Sequence, residues 1–403
     1  MLARSSLRSD VSHAFGVGSE SVLPLVGLEV EAIPLDDATG RPASMTRTLR
    51  ALQQLEWASQ VSGKSAVPEL RRSNGARLTF EPGGQIEYSS APHPTGSALL
   101  ADVESALSDI AEALRSIRCS LLFAGLDPGT PITEVPLQLD APRYRRMDEY
   151  FASRGLAGRR MMRQTASVQV CIDVGDAPLE RWRLLASLAP VAAAMFANSP
   201  MDTGRFTGER SRRRRIWAEL DPSRTGLRAL GADPVEEYLD FALAAPAFLL
   251  GDDPGRAEPF ERWIVKGASR EDWITHLSTL FPDVRPRGYF EFRVADAVGG
   301  DALPALLALV AGIAWHSPSA IAALRVLPAP DGSLMSRAAR AGLGDPLLAS
   351  AARYASDLAL SACQSLAPAA LDSEDITRAR RFFDEYTRCG RSPADDVRAP
   401  AAA

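Results

Sequence analysis

The chain has 403 residues, 46% hydrophobic and 24% charged, enough to bury a sizeable core without metal or disulfide staples. Its net charge of −5 argues against a general affinity for nucleic acid or acidic membranes. Lys64 and Lys266 are the only lysines among 45 basic residues, a bias that reads as GC-rich coding rather than chemistry. Taken in chain order, residues 1–20 read as a flexible N-terminus with no apolar signal region. VGLEVEA then predicts a strand with Leu28 and Val30 on one face and Glu29 and Glu31 on the other. RLTFEPGGQIEYSS predicts two strands around the Pro82-Gly83-Gly84 turn. Leu99–Ile117 carries a helical apolar stripe, and SVQVCID sets Val168, Val170 and Ile172 against Gln169, Cys171 and Asp173. Glu180–Ala197 predicts a helix, and GYFEFRVAD sets Phe290, Phe292 and Val294 against Glu291 and Arg293. Ala302–Ala314, Pro346–Leu366 and a segment capped by Ser373 predict further helices, before a flexible tail over 393–403. Strands with one oily face point to an α+β fold, a mostly antiparallel sheet with helices packed on its apolar face. No internal boundary divides residues 21–392, which read as a single domain.

The polar faces of these strands carry the chemistry. A solvated face is a mixture of Lys, Thr, Ser and Gln, whereas these gather Glu29, Glu31, Glu87, Gln169, Asp173 and Glu291, with Glu81 at the turn. Acids brought together repel unless a cation answers them. An all-oxygen set without His or Cys suits Mg²⁺, which also takes phosphate oxygens. Glu291 is expected to be a metal ligand, leaving Arg293 free for phosphate. For any single Glu, solvation or an arginine partner remains the simpler reading; the ordered set is what favours metal. A second constellation, NSPMDTGRFTGERSRRRRIW, holds Arg205, Arg210 and Arg212–Arg215, whose guanidinium forks suit phosphate or carboxylate. Half of such a run is expected to be merely solvated.

Other chemistries are absent. SGKS around Lys64 imitates the end of a phosphate-binding loop, but Ala58 stands where its first glycine belongs and a helix-like segment precedes it. The four histidines form no HExxH pair, and no GxSxG elbow occurs. Cys119, Cys171, Cys363 and Cys389 form no CxxC pair and read as reduced thiols. No apolar run reaches the roughly 20 residues needed to span a bilayer, so a soluble cytoplasmic protein is expected.

GLEVEA, FEPGGQIEYSS, TASVQVCID, ANSP, SRRRRIW with DPSRTG, and HLSTLFPDVRPRGYFEFRVAD occur in this order. The ordered set resembles the plant-type glutamate–cysteine ligase family, and within it the actinobacterial branch that opens ergothioneine biosynthesis. The resemblance covers roughly residues 26–300. It implies a fold related to glutamine synthetase, a curved sheet forming a funnel-like active site. The implied reaction joins the γ-carboxylate of L-glutamate to the amine of L-cysteine through a γ-glutamyl phosphate. ATP is co-substrate, two or more Mg²⁺ ions assist, and no nucleic acid or membrane takes part. By resemblance, Glu29, Glu31, Glu81, Glu87 and Glu291 are the magnesium positions, and Gln169 and Arg293 line the phosphate-transfer centre. Gln85, Asp173, Asn198, Arg205, Arg212, Arg213, His276 and Arg285 match stretches that contact substrate or nucleotide. Cys171 replaces the Asn that relatives commonly carry in a Q-x-N-x-D pattern. A related carboxylate–amine ligase with another acid or amine, or γ-glutamylcysteine supply for glutathione, fits the same motifs. A non-enzymatic arginine-rich module would leave the acidic strands unexplained.

Overall fold

The computed structural model describes residues 2–18, 23–60, 67–226 and 230–397. Its strands are β1 (Val26–Asp36), β2 (Ala58–Gln60), β3 (Glu69–Arg71), β4 (Arg77–Phe80), β5 (Ile86–Ser89), β6 (Cys119–Leu122), β7 (Ser167–Ile172), β8 (Met201–Asp202), β9 (Arg205–Phe206), β10 (Val284–Pro286) and β11 (Phe290–Asp296). Nine of them build one open antiparallel sheet in the order β10-β11-β7-β1-β5-β4-β3-β2, with β6 pairing the far half of β1. The remaining two, β8 and β9, form a separate hairpin.

The alternation in the sequence decides which face is dry. Leu28, Val30, Val168, Val170, Phe290 and Phe292 are all buried in one hydrophobic cluster with the helices Gly96–Arg115 and Pro178–Met195. The opposite face is set by register. Glu31 lies opposite Glu87, Glu29 opposite Gln169, and Glu291 opposite both Cys171 and Arg285. Side chains of period two therefore bring the acids of three separate motifs onto one surface. The Pro82-Gly83-Gly84 turn needs its glycines. A Cβ on Gly83 would sit 2.1 Å from the Arg163 carbonyl oxygen, and Gly84 has φ +89°.

Most predicted helices form where expected, Pro346–Leu366 to the residue. The segment from Ala302 passes through a π-turn at Ala308–Gly312, and Asp372, not Ser373, caps the helix Ser373–Phe382. Strand β2, not a helix, directly precedes residues 61–66; Lys64 lies outside the described residues. The flexible N-terminus is corrected: Arg4–Ala14 is a helix whose Leu7 and Val11, with Phe15 beyond its end, are fully buried. Four-residue spacing places those three on one stripe, and Phe15 packs 4.7 Å from Trp182. The tail is likewise docked as far as residue 397, with Ala394 buried and Asp395 paired to Arg210 at 2.8 Å. Residues 398–403 lie outside the description. No single helix among the described residues is long and apolar enough to cross a membrane.

Candidate active site

The polar face of the sheet floors a cavity of about 440 Å³, within the range of small-molecule sites. Its acidic wall comes from β1, β5 and the β4–β5 turn: Glu29, Glu31, Glu81 and Glu87. Glu31 is the most committed of the four. It accepts from the Ser167 backbone N–H at 2.8 Å, the Ser167 hydroxyl at 3.1 Å and Gln169 Nε2 at 2.9 Å. Glu87 accepts from Thr79 and Ser89 hydroxyls at 3.2 and 3.3 Å. Among the described residues, no arginine pairs with any of the four within salt-bridge distance. Burial first, and the neighbouring acids Glu87 and Glu291 next, push the Glu29 carboxyl up to about 8. Burial and Glu31 push Glu87 up to about 7, and Glu81 is raised by burial and Glu87.

The facing wall is built from arginine. Glu291 is fully buried, with one fork of Arg285 on both its oxygens at 2.8 Å and Arg293 on Oε1. Arg287 approaches to 3.6 Å. Burial would raise this carboxyl, but Arg293, Arg285 and Arg287 pull it down to about 2. Arg293 also donates to Gln169 Oε1, so its guanidinium is gripped from two strands. The chain Glu291–Arg293–Gln169–Glu31–Ser167 thus crosses β11, β7 and β1 and links the two walls. Arg213, buried in the helix Arg212–Leu220, completes this wall and donates to the Arg293 carbonyl at 3.0 Å. Opposite the sheet lies an apolar corner of Met147, Met161, Met162, Trp217 and Phe281.

Sequence comparison gives these walls a family. Residues 25–402 match the glutamate-cysteine ligase family 2. The chain belongs to this family. It is 34% identical over 392 residues to the glutamate–cysteine ligase EgtA of Mycolicibacterium smegmatis, covering 92% of this chain and 86% of the relative. The EgtA of Mycobacterium tuberculosis H37Rv is 32% identical, covering 92% and 84%. The chloroplastic glutamate–cysteine ligase of Arabidopsis thaliana is 28% identical, covering 92% and 75%. In fold, the chain is similar to a glutamate–cysteine ligase from Francisella tularensis in complex with AMP, with TM-score 0.56 and 12% identity. That likeness covers 93% of this chain and 84% of the other.

Within this family-2 ligase fold, several residues expected in the site prove to be braces. Asn198 donates to the carbonyls of Phe123 and Ala297, and its own N–H goes to Asp296. Asp296, buried, also takes the hydroxyls of Ser199 and Ser211, fastening the helix that carries Arg213. Asp173, past the paired end of β7, is held by Arg181, Trp315 Nε1 at 2.8 Å and the Leu25 N–H. Gln85 locks the glycine turn through Gly83 N–H and the Thr165 carbonyl. His276 Nε2–H donates to the Ala242 carbonyl, 2.8 Å away, and the ring stacks on Phe260; burial drives it down to about 3. Arg205 is exposed on β9, and Arg212 pairs with Asp202 and Glu209 at 3.4 Å. The expectation that Arg293 stands free of Glu291 is corrected. A carboxylate two residues away on the same strand face, buried, draws the guanidinium to itself. Arg285 lines the cavity but spends its fork on Glu291.

Sequence reasoning missed Arg143, Tyr144 and Ser278, which line the cavity from outside the sheet. Arg143 donates to the Ser278 hydroxyl and carbonyl at 2.8 and 3.1 Å, and among the described residues no carboxylate pairs with it within salt-bridge distance. Its signal, one of three arginines in the charged helix Pro142–Ala152, differs in nothing from a surface arginine. Among the described residues, no three His, Cys, Asp or Glu side chains converge tightly enough to chelate an ion unaided. The acids are strung along a wall instead. Magnesium commonly takes one or two protein carboxylates and fills its octahedron with phosphate oxygens and water, so this donor set fits Mg²⁺ carried with a nucleotide.

Proposed function

We infer that the protein is an ATP-dependent glutamate–cysteine ligase working in this cavity, with Mg²⁺ held between the acidic wall and the ATP phosphates. The observation that carries the reading is one cavity with four carboxylates on one side, none of them in a salt bridge among the described residues, and a doubly held arginine, Arg293, on the other. A carboxylate resists amine attack because resonance spreads its charge. Transfer of the ATP γ-phosphoryl group to the glutamate γ-carboxylate gives an acyl phosphate, and the cysteine amine displaces phosphate from it.

When bound, Mg²⁺ neutralises phosphate charge and ties the nucleotide to Glu29, Glu81 and Glu87. Arg293 faces the transferring phosphoryl group, its plane fixed by Gln169 and Glu291 so that little reorganisation accompanies the reaction. Arg213 adds positive charge behind it, and Arg143 binds a substrate carboxylate at the cavity's other end. The apolar corner of Met147, Met161, Met162 and Trp217 accepts the cysteine side chain and sheds the water that would hydrolyse the acyl phosphate. The polar face of the sheet and the helices Pro142–Ala152, Ala157–Gln164 and Arg212–Leu220 would form the walls of a funnel leading to this centre. The enzyme is cytoplasmic and its dipeptide feeds ergothioneine synthesis. Incubation with ATP, Mg²⁺, glutamate and cysteine should yield γ-glutamylcysteine and ADP in equal amounts, read by mass spectrometry. ADP release that is faster with another amine in place of cysteine would assign a different ligase on the same scaffold.

A further inference from the structure

A second cavity, of about 270 Å³, lies on the far side of Trp217 and Phe281 from the acidic cavity. Those two rings line both spaces and meet edge to face at 5.7 Å and 78°. The second cavity's remaining walls are largely apolar: Trp182, Ala186 and Pro190 of the helix Pro178–Met195, Val284 of β10, and Met335 of the helix Gly332–Ala341. Its arginines are already matched, Arg214 with Asp283 and Arg215 with Glu219 at 2.8 Å. Two buried donors on its lining residues, Trp217 Nε1 and Arg214 Nε, have no acceptor among the described residues. Leaving such groups unpaired costs roughly 1–3 kcal/mol each in general, so an acceptor brought to them is favourable.

We propose that this cavity binds a compact aromatic molecule carrying a hydrogen-bond acceptor, uncharged or singly anionic, and that its occupancy is felt in the acidic cavity through Trp217. Flat aromatic and methionine walls suit a ring. Matched charges disfavour a cation, which would find no free carboxylate among the paired acids. The two donors do not open onto the cavity as it stands, so reaching them tilts the indole. That indole carries the Arg213 guanidinium 5.7 Å and the Arg293 guanidinium 6.0 Å from its ring centre. A tilt therefore moves the arginine that the inferred reaction depends on. The binding half of this proposal is independent of that reaction; the coupling half rests on it.

The test uses benzamide and benzoate as probes, benzylamine as the cationic control, and Met335→Trp and Ala186→Leu as cavity-filling variants from two different helices. Saturable binding of both acceptor probes to the full chain, by ligand-detected NMR, is expected to persist at saturating ATP and Mg²⁺. It should vanish in both variants, whose ligation without probe stays normal. Saturating probe should change the KM for the amine substrate by about fivefold or more, a typical coupling. No saturation at millimolar probe, equal binding of benzylamine, binding that survives both fillings, or displacement by ATP would each overturn the site. Binding with unchanged kinetics, in enzyme that makes γ-glutamylcysteine, would overturn the coupling; absence of that product would instead sink the ligase reading and leave the binding result standing.

Discussion

Two walls of one cavity use the same side chain in opposite ways. On β1 and β5, Glu29 and Glu87 lie among other acids with no arginine at salt-bridge distance among the described residues, and burial raises the two carboxyls to about 8 and 7. On β11, Glu291 is buried more completely, yet three arginines hold it ionised down to about 2. The first wall is destabilised by its own repulsion and stands ready for a cation. The second is internally satisfied, its acid paired with Arg285 and Arg293. Position on a polar strand face does not decide an acid's role; the cations within reach do.

The largest break in this comparison comes from Arg293→Ala. It removes the group aimed at the phosphoryl centre and leaves Glu291 with Arg285, so kcat should fall by about 10³, measured by ADP release. Arg293→Lys should recover little, since an ammonium that bonds Gln169 and Glu291 in place of Nη1 keeps no second planar N–H edge for phosphate. Chelation comes next: excess EDTA should abolish turnover while the thermal melt stays cooperative, and added Mg²⁺ with ATP should raise Tm. Full turnover in EDTA would remove the metal from the acidic wall.

The fold was largely legible because alternation and register are local properties. Leu28/Val30 and Phe290/Phe292 announce a dry face, and two-residue periodicity then forces Glu29, Glu31, Gln169 and Glu291 to the other. The site was legible only as residue types. Which acids are paired depends on neighbours from distant strands, and Arg285 reaches Glu291 only because β10 adds at the sheet edge. His276 and Asn198 sit in motifs that surround the site yet act as braces, a distinction fixed by the backbone carbonyls that meet them. The N-terminal helix was missed because three apolar residues in an otherwise polar segment give a weak stripe.

A smaller effect separates brace from site at His276. Its ring stays neutral in the folded protein down to about pH 3, whereas the unfolded ring takes a proton near 6.5. The unfolded state therefore binds more protons between these values. This contribution to stability is full above pH 6.5 and is lost, at up to about 1.4 kcal/mol per pH unit, as pH falls toward 3. Denaturant melts of His276→Gln should show a flatter acid limb than the parent, with KM values unchanged at pH 7.5. Smallest of all, Arg205→Ala and Arg212→Ala should alter kcat/KM less than about threefold, because neither lines the cavity; Arg213→Ala should lose far more.

The most direct test sets Glu29→Gln beside Glu291→Gln in metal-free buffer, each by denaturant melt and by turnover. Glu29→Gln relieves repulsion, so its stability should hold or rise while turnover with Mg²⁺ falls about a hundredfold or more. Glu291→Gln uncovers buried arginines and should lose roughly 3 kcal/mol or more of stability. Equal destabilisation of the two variants, or a stable Glu291→Gln that has lost only its response to Mg²⁺, would contradict the division of the cavity into a cation-receiving wall and an arginine-aiming one.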